Sequence, residues 1–323
     1  KIFFYYILLK FIFFPLIRYL NSTALSKATR KGQQIIREIN SCKMHLDPII
    51  DDGLCRYLTV AGRREEYITE AVKKVIKPGD IICDLGANIG YYALFESKLA
   101  GNDGFVYAIE PVPETMALLK ENVKLNNLNN IEYYEQGIGD RDGTATMYVS
   151  KWLNRSQMKE VDNPNRKLVD HEIEVKVNTL DTFIKDKKYP SLIRMDVEGF
   201  EYEIFKGMDS LFKVNKPLII VMEFHFRWLG LDKSLKIFNT LKTNGFSINY
   251  ASYEIDEKCI TKNKYLSRFA SVLNSHVNEL PLSGEININI NDIIENLPMK
   301  DYPENSLDFC MRVGALEIIF QRK

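Results

Sequence analysis

Cysteine chemistry is scarce in this 323-residue chain. Its five cysteines, Cys42, Cys55, Cys83, Cys259 and Cys310, are odd in number and none stands in a C-x-x-C pair. That pattern argues against a disulfide scaffold and a thiolate metal centre, assigns no metal ligands, and favours a reducing compartment. Excess charge of one sign is also missing, since 43 Lys and Arg meet 43 Asp and Glu. A body that grips nucleic acid needs a basic surface, so no nucleic-acid partner is expected. No internal repeat occurs, which sets aside solenoids and propellers. What remains is a chain with 46% hydrophobic residues, enough for a sizeable core.

The richest stretch is Ile81 to Ala93, IICDLGANIGYYA, where a short apolar strand runs into an acid and a glycine-punctuated turn before a helix. A β-rich run bounded by such a turn reads as a strand buried on both faces of a sheet. Glycines at 86 and 90 let backbone approach a ligand, and the next helix offers free N–H groups at its start. A dinucleotide fingerprint would read G-x-G-x-x-G, whereas here Asp84, Gly86, Ala87, Asn88 and Gly90 spell an acid and two glycines around an asparagine. With no pyrophosphate cradle, the better ligand is a nucleoside with a cationic sulfonium and an amino-acid tail. S-adenosylmethionine has that chemistry: Asp84 would attract the positive end and backbone amides would take the carboxylate.

A second buried-type strand, Gly104 to Glu110, ends in an acid about 20 residues after the first glycine turn, where doubly wound folds place a ribose-hydroxyl acceptor. Glu110 is that candidate, followed by a helical pattern from Glu114 to Asn126. Ile131 to Gln136 gives a third strand, and Gly137 to Asp140 reads as a loop that could border an adenine ring. Asp140 fits hairpin-turn chemistry equally well, because Asp-Arg-Asp-Gly follows at 140 to 143. Farther on, Glu172 to Val177 alternates as a half-buried strand, and Asn178 to Asp181 opens a short helix.

Leu192 to Met195 is another apolar strand, and Asp196, Glu198 and Glu201 crowd around Gly199 behind it. Ligands in doubly wound sheets bind beyond the carboxyl ends of the strands, which makes Asp196 the leading active-site carboxylate. Its alternative is an N-cap for a helix from Phe200 to Lys206. Pro217 to Phe224 forms a fifth strand, with Glu223 near its end and His225 two residues on, so acid and imidazole point the same way. His225 suits a base for a hydroxyl proton.

The segments DLGANIGYYA, AIEP, NTLD, IRMDVEGFE with Lys206-Gly207, and VMEFH together resemble the FkbM family of S-adenosylmethionine-dependent methyltransferases, over roughly 76 to 225. The resemblance implies a class I methyltransferase fold, an α/β Rossmann-like architecture with a seven-stranded, mostly parallel sheet and a final antiparallel strand. It places Asp84, Gly86, Ala87, Asn88 and Gly90 at the methionine and ribose, and Glu110 at the ribose hydroxyls. It also implies O-methyl transfer, with a hydroxyl of a sugar, glycan or lipid-linked glycan as acceptor; Asp196, Glu198 and Glu201 fall on the family's acidic motif, and from their strand ends Asp196, Glu223 or His225 could reach the hydroxyl as base. Two rival readings are a nicotinamide-dependent oxidoreductase, disfavoured by the missing third glycine, and a non-catalytic adaptor, disfavoured by the acids at the strand ends.

Residues 1–40 stand apart. Ile2 to Leu20 is almost all apolar, interrupted by Lys10 and Pro15, and the segment to residue 40 holds seven Lys or Arg against one Glu. Spanning and lying in a bilayer surface compete for residues 2–20, and the basic stretch after it would keep the catalytic domain on the cytoplasmic side. Lys1 is not an initiator methionine, which leaves a processed or truncated start open. Residues 41–75 read as a helical lead-in and 76–323 as the methyltransferase domain. Within it, Gly245 to Tyr250 and Gly314 to Gln321 read as the last two strands, and 251–312 as a candidate acceptor lid, with INININ at 286 to 291 alternating like a strand.

Overall fold

The structure is a computed structural model that describes residues 35–253, apart from 49, 52, 151–155 and 159–168, together with 290, 291, 293 and 316–322. The apolar segment 2–20 lies outside the described residues, as does most of the candidate lid. Among the described residues no helix is long and apolar enough to cross a membrane. Ile290 and Asn291 are helical rather than extended, and Ile290 and Ile293 pack into the main core.

The chain opens with a two-stranded hairpin, β1 (Ile35–Ile39) and β2 (Cys42–Leu46), so the lead-in is not purely helical. Asn40 and Ser41 both take positive φ (50° and 60°), which a two-residue hairpin turn requires, and Asn is well suited to it. Two helices follow, α1 (Leu54–Ala61) and α2 (Glu66–Val75).

Seven strands then form one sheet: β3 (Ile81–Leu85), β4 (Phe105–Ile109), β5 (Ile131–Tyr134), β9 (Leu192–Met195), β10 (Leu218–Phe224), β11 (Ser247–Tyr253) and β12 (Leu316–Arg322). Their order is β11-β12-β10-β9-β3-β4-β5; β12 runs antiparallel to both neighbours and the pairs from β10 to β5 are parallel. This is the sheet the resemblance implied. Helices α3 (Tyr91–Ala100), α4 (Pro113–Leu125) and α8 (Phe226–Thr243, interrupted at Gly230) link the strands, and separate cores form on the two faces of the sheet. Ile82, Cys83 and Leu85 are buried, as a central parallel strand covered on both sides must be.

Register aligns the strand ends. Leu85 pairs with Ile109 and Met195, and Met195 pairs with Met222. The next residue on each strand, Gly86, Glu110, Asp196 and Glu223, therefore forms a row along one edge of the sheet. One layer below, Asp84 pairs with Arg194.

A second, three-stranded sheet comprises β6 (Gly137–Gly139), β7 (Gly143–Ser150) and β8 (Val169–Thr179), in the order β6-β8-β7. Gly137 to Gly139 is thus a strand, not a loop, and residues 140 to 143 do not close a simple hairpin, because β6 and β7 flank β8 instead of pairing. Gly-Ile-Gly has little intrinsic strand preference, and its pairing is supplied by β8. Short helices α5 (Leu180–Ile184), α6 (Glu201–Lys206) and α7 (Asp209–Lys213) complete the description. Thr179 caps α5 by accepting from the Thr182 N–H at 3.0 Å. Gly207 leaves room for the backbone of β6, since a Cβ there would lie 2.2 Å from the Gly139 carbonyl oxygen.

Candidate active site

A cleft of about 880 Å³ opens at the carboxyl ends of β3, β4 and β9. Its floor is Leu85 to Asn88, and Glu110 and Asp196 flank it. Gln136 to Ile138 and Met147, Ser156 and Met158 wall one side, Arg64 and Glu65 another. The lead-in is therefore part of the site, which its reading as a separate segment did not foresee.

Gly86 fits its position for two reasons. Its φ is +80°, and an added Cβ would meet the Asp196 carbonyl oxygen at 2.0 Å. Its amide and that of Ala87 both donate to the Ile109 carbonyl, at 2.9 and 3.0 Å, which fixes the turn. Asn88 has a left-handed backbone (φ 50°) and its N–H donates to Glu110 Oε2 at 3.0 Å. Glu110 Oε1 accepts from the Val112 N–H at 2.9 Å. Burial pushes the Glu110 carboxyl up to about 7, against these two amides. Gly90 sits behind the cleft, where it precedes α3 at φ 91° and packs against Leu94 and Leu119.

Asp84 is sealed beneath the cleft rather than lining it. Arg194 Nη1 donates to its Oδ1 at 3.0 Å, and the arginine's second arm reaches Asp196 Oδ2 at 3.2 Å. The same guanidinium stacks on Tyr92, 3.7 Å from the ring centroid, and Tyr92 donates to Glu65 Oε2 at 2.9 Å. Tyr91 clamps the preceding residue, donating to the Arg64 carbonyl at 2.6 Å and accepting from its N–H at 3.2 Å. The tyrosine pair of the GYYA segment thus ties the lead-in to the strand ends. Asp140 is also displaced from its expected role: it pairs with Lys206 at 2.5 Å and does not line the cleft, because β6 carries it past the rim.

The acids after β9 converge with the end of β10. Asp196 does not cap α6, whose N-cap is Phe200. Glu198 and Gly199 both take positive φ (50° and 95°), and a Cβ at 199 would lie 2.4 Å from Trp228 Cβ. His225 Nδ1 contacts Glu201 Oε1 at 2.6 Å, while its Nε2 lies 3.5 Å from Glu223 Oε1 and 3.7 Å from Glu198 Oε2. Although burial pulls the imidazole's pKa down, Glu201, Glu223 and Glu198 together raise it well above the ordinary histidine value. Burial and the neighbouring Asp196 charge raise Glu223 well above the carboxylate range, and burial lifts Glu198 to about 7. Burial works against ionisation of Asp196, yet Arg194, His225 and Arg64 hold its carboxyl below the ordinary value. His225 itself does not line the cleft, whose wall at this end is Asp196, Val197 and Glu198.

The model of the methyltransferase FkbM domain matches residues 84–248. The chain belongs to the FkbM methyltransferase family. A protein named Methyltransferase 1 from Beauveria bassiana is 30% identical over 167 residues, 46% of this chain and 66% of its own length. Hexuronic acid methyltransferase AglP of Haloferax volcanii is 24% identical over 166 residues, 50% of this chain and 63% of its own. The match thus spans just under two thirds of either relative. Among solved structures, M. jannaschii TYW2 in complex with AdoMet aligns over 89% of this chain and 84% of its own, with 15% identity and a TM-score of 0.37.

The cofactor of this methyltransferase family is S-adenosylmethionine, and the cleft fits it. Leu85 to Asn88 line the cleft, and Glu110 presents a buried carboxyl to it from the end of β4. Arg194, Arg64, Tyr91 and Tyr92 escaped the sequence reading; the signals were the double tyrosine directly after Gly90 and the charge of Arg194 inside an apolar strand.

Proposed function

We propose that this protein transfers a methyl group from S-adenosylmethionine to a hydroxyl oxygen of a sugar or glycan. The observation that carries the reading is the row Gly86, Glu110, Asp196 and Glu223 along one sheet edge, with the first three lining a single cleft. Bound there, the cofactor supplies an electrophilic methyl carbon on a cationic sulfur. The chain's own part is positioning. Glu110 would accept from the ribose hydroxyls, the 86–88 backbone would meet the methionine end, and Asp196, held ionised by Arg194, would orient the acceptor hydroxyl and take its proton. Glu223 and His225 stand behind Asp196 and hold its place.

One consideration favours a hydroxyl on a neutral sugar, and another a sugar acceptor in general. The acceptor end presents Asp196, whose carboxyl is held below its ordinary value and would repel a carboxylate acceptor. The relative named hexuronic acid methyltransferase supports a sugar as the acceptor class, though not the choice of a neutral one. Labelled methyl transfer to fractionated oligosaccharides and glycolipids tests the reading: label stable to mild alkali is the expected ether, and alkali-labile label would be an ester and contradict it.

We further propose that residues 2–20 hold the enzyme at the cytoplasmic face of a membrane, so that a lipid-linked glycan is its natural acceptor. The apolar run and the basic residues behind it support this. Flotation with anionic vesicles should carry the full chain and leave a version lacking residues 2–20 in the pellet fraction; equal behaviour would overturn the assignment.

A further inference from the structure

We propose that Asp196, Glu198 and His225 form a binding site for one divalent first-row cation at the acceptor end of the cleft. Sequence spacing assigned no metal, because the ligands come from a turn after β9 and from the residue after β10, nearly thirty positions apart. The fold brings one ligand atom from each within 4.8 Å of the others. For a tetrahedral ion with bonds of about 2.1 Å, ligand atoms sit about 3.4 Å apart, and the 3.7 Å between His225 Nε2 and Glu198 Oε2 is close to that.

An independent observation lies outside the ligand set. Glu201, fully buried at the start of α6, engages His225 Nδ1 at 2.6 Å and also accepts from the Gly199 N–H at 3.2 Å. That carboxylate fixes the ring and turns Nε2 toward Asp196 and Glu198. A carboxylate behind a ligating histidine is the usual outer partner of a metal-bound imidazole, and it makes the ring a stronger ligand. The other oxygen of Glu201 is buried and makes no hydrogen bond. One imidazole with carboxylates suits Mn²⁺, Fe²⁺, Co²⁺ or Zn²⁺ better than an all-oxygen Mg²⁺ site. The ion's role, holding the acceptor oxygen beside the methyl donor, rests on the methyl-transfer reading; the site itself does not.

The test uses the full chain and Mn²⁺ alone, with no cofactor or acceptor. Electron paramagnetic resonance should show loss of the free Mn²⁺ signal at one ion per chain, and pulsed measurements should show coupling to one imidazole nitrogen. Glu198→Gln should weaken binding at least about tenfold, and Glu201→Gln by about 10- to 100-fold through the ring it orients. Asp140→Asn, a surface acid outside the group, should change nothing. Absence of bound Mn²⁺ at millimolar concentration, or bound Mn²⁺ without nitrogen coupling, would overturn the site even if the variants fail to fold. Intact cofactor binding alongside such a failure would leave the methyl-transfer reading standing.

Discussion

Asp84 and Arg194 face each other across adjacent parallel strands, joined by an ion pair of 3.0 Å in which neither side chain is appreciably exposed. The acid that opens the glycine turn is therefore spent on a neighbour rather than on the ligand. Its partner in turn bridges to Asp196 and stacks on Tyr92, so one arginine sets the position of the acceptor-end carboxylate.

Breaking that pair should cost folding more than binding. Asp84→Asn leaves a buried guanidinium short of a counter-charge, a change that usually costs about 3–5 kcal/mol; Asp196 and Tyr92 should hold it near the lower figure. Urea unfolding would show the loss, while calorimetry on the folded variant would show cofactor affinity little altered. A variant as stable as the parent but unable to bind would return Asp84 to the sulfonium.

Glu110 makes both stability and binding depend on pH. Its folded carboxyl titrates at about 7 against 4.5 for the free group. Between those values the folded chain keeps a proton that the unfolded chain has lost, so stability falls as pH rises through this window. The full penalty, above pH 7, is on the order of 3 kcal/mol. An ionised carboxylate accepts better from ribose hydroxyls, so cofactor affinity should climb from pH 6 to pH 8. Glu110→Gln should flatten both profiles, as urea titration and calorimetry across that range would record.

Glu96 on α3 is a cost with no visible return. It is fully buried, neither carboxyl oxygen makes a hydrogen bond, and burial raises it well above the usual carboxylate range. Because the folded value is raised, its contribution declines as pH climbs above the unfolded value. Glu96→Gln should remove that decline, giving a melting temperature that falls less between pH 6 and pH 9 than in the parent. Parallel pH profiles for the two proteins would contradict the assignment.

Gly86→Ala should be among the most damaging single methyl additions. The new Cβ would collide with the Asp196 carbonyl from a backbone region that alanine avoids. A loss on the order of 2–4 kcal/mol is expected, together with weakened cofactor binding because the turn and Asp196 must separate. Thermal unfolding and calorimetry would measure the two effects.

The parts of this fold that could be read in advance are those where one strand carries its whole message. Ile81–Leu85, Phe105–Ile109, Leu192–Met195 and Leu218–Phe224 are short apolar runs ending at an acid or glycine, and central parallel strands have that composition because both faces are covered. Glu110 and Asp196 followed from their places at those ends. Arg194 was hidden for the same reason: a charged residue inside an apolar strand announces a buried partner without naming it, and the partner lies on another strand 110 residues away. Arg64 and Glu65 reach the cleft only through Tyr91 and Tyr92, a tertiary contact with no periodic signature. An acid beside glycines reads alike in a ligand loop and in a hairpin turn, and at Asp140 the pairing of β6 and β7 with β8 sets both aside.

The central claim is that the cleft beside Gly86 holds S-adenosylmethionine through Glu110. Its most direct test is calorimetric titration of that cofactor into the full chain and two variants. The parent should bind one equivalent, Glu110→Ala should bind at least about tenfold more weakly (about 1.4 kcal/mol), and Asp140→Ala should match the parent. No binding to the parent, or equal binding by Glu110→Ala, would contradict it.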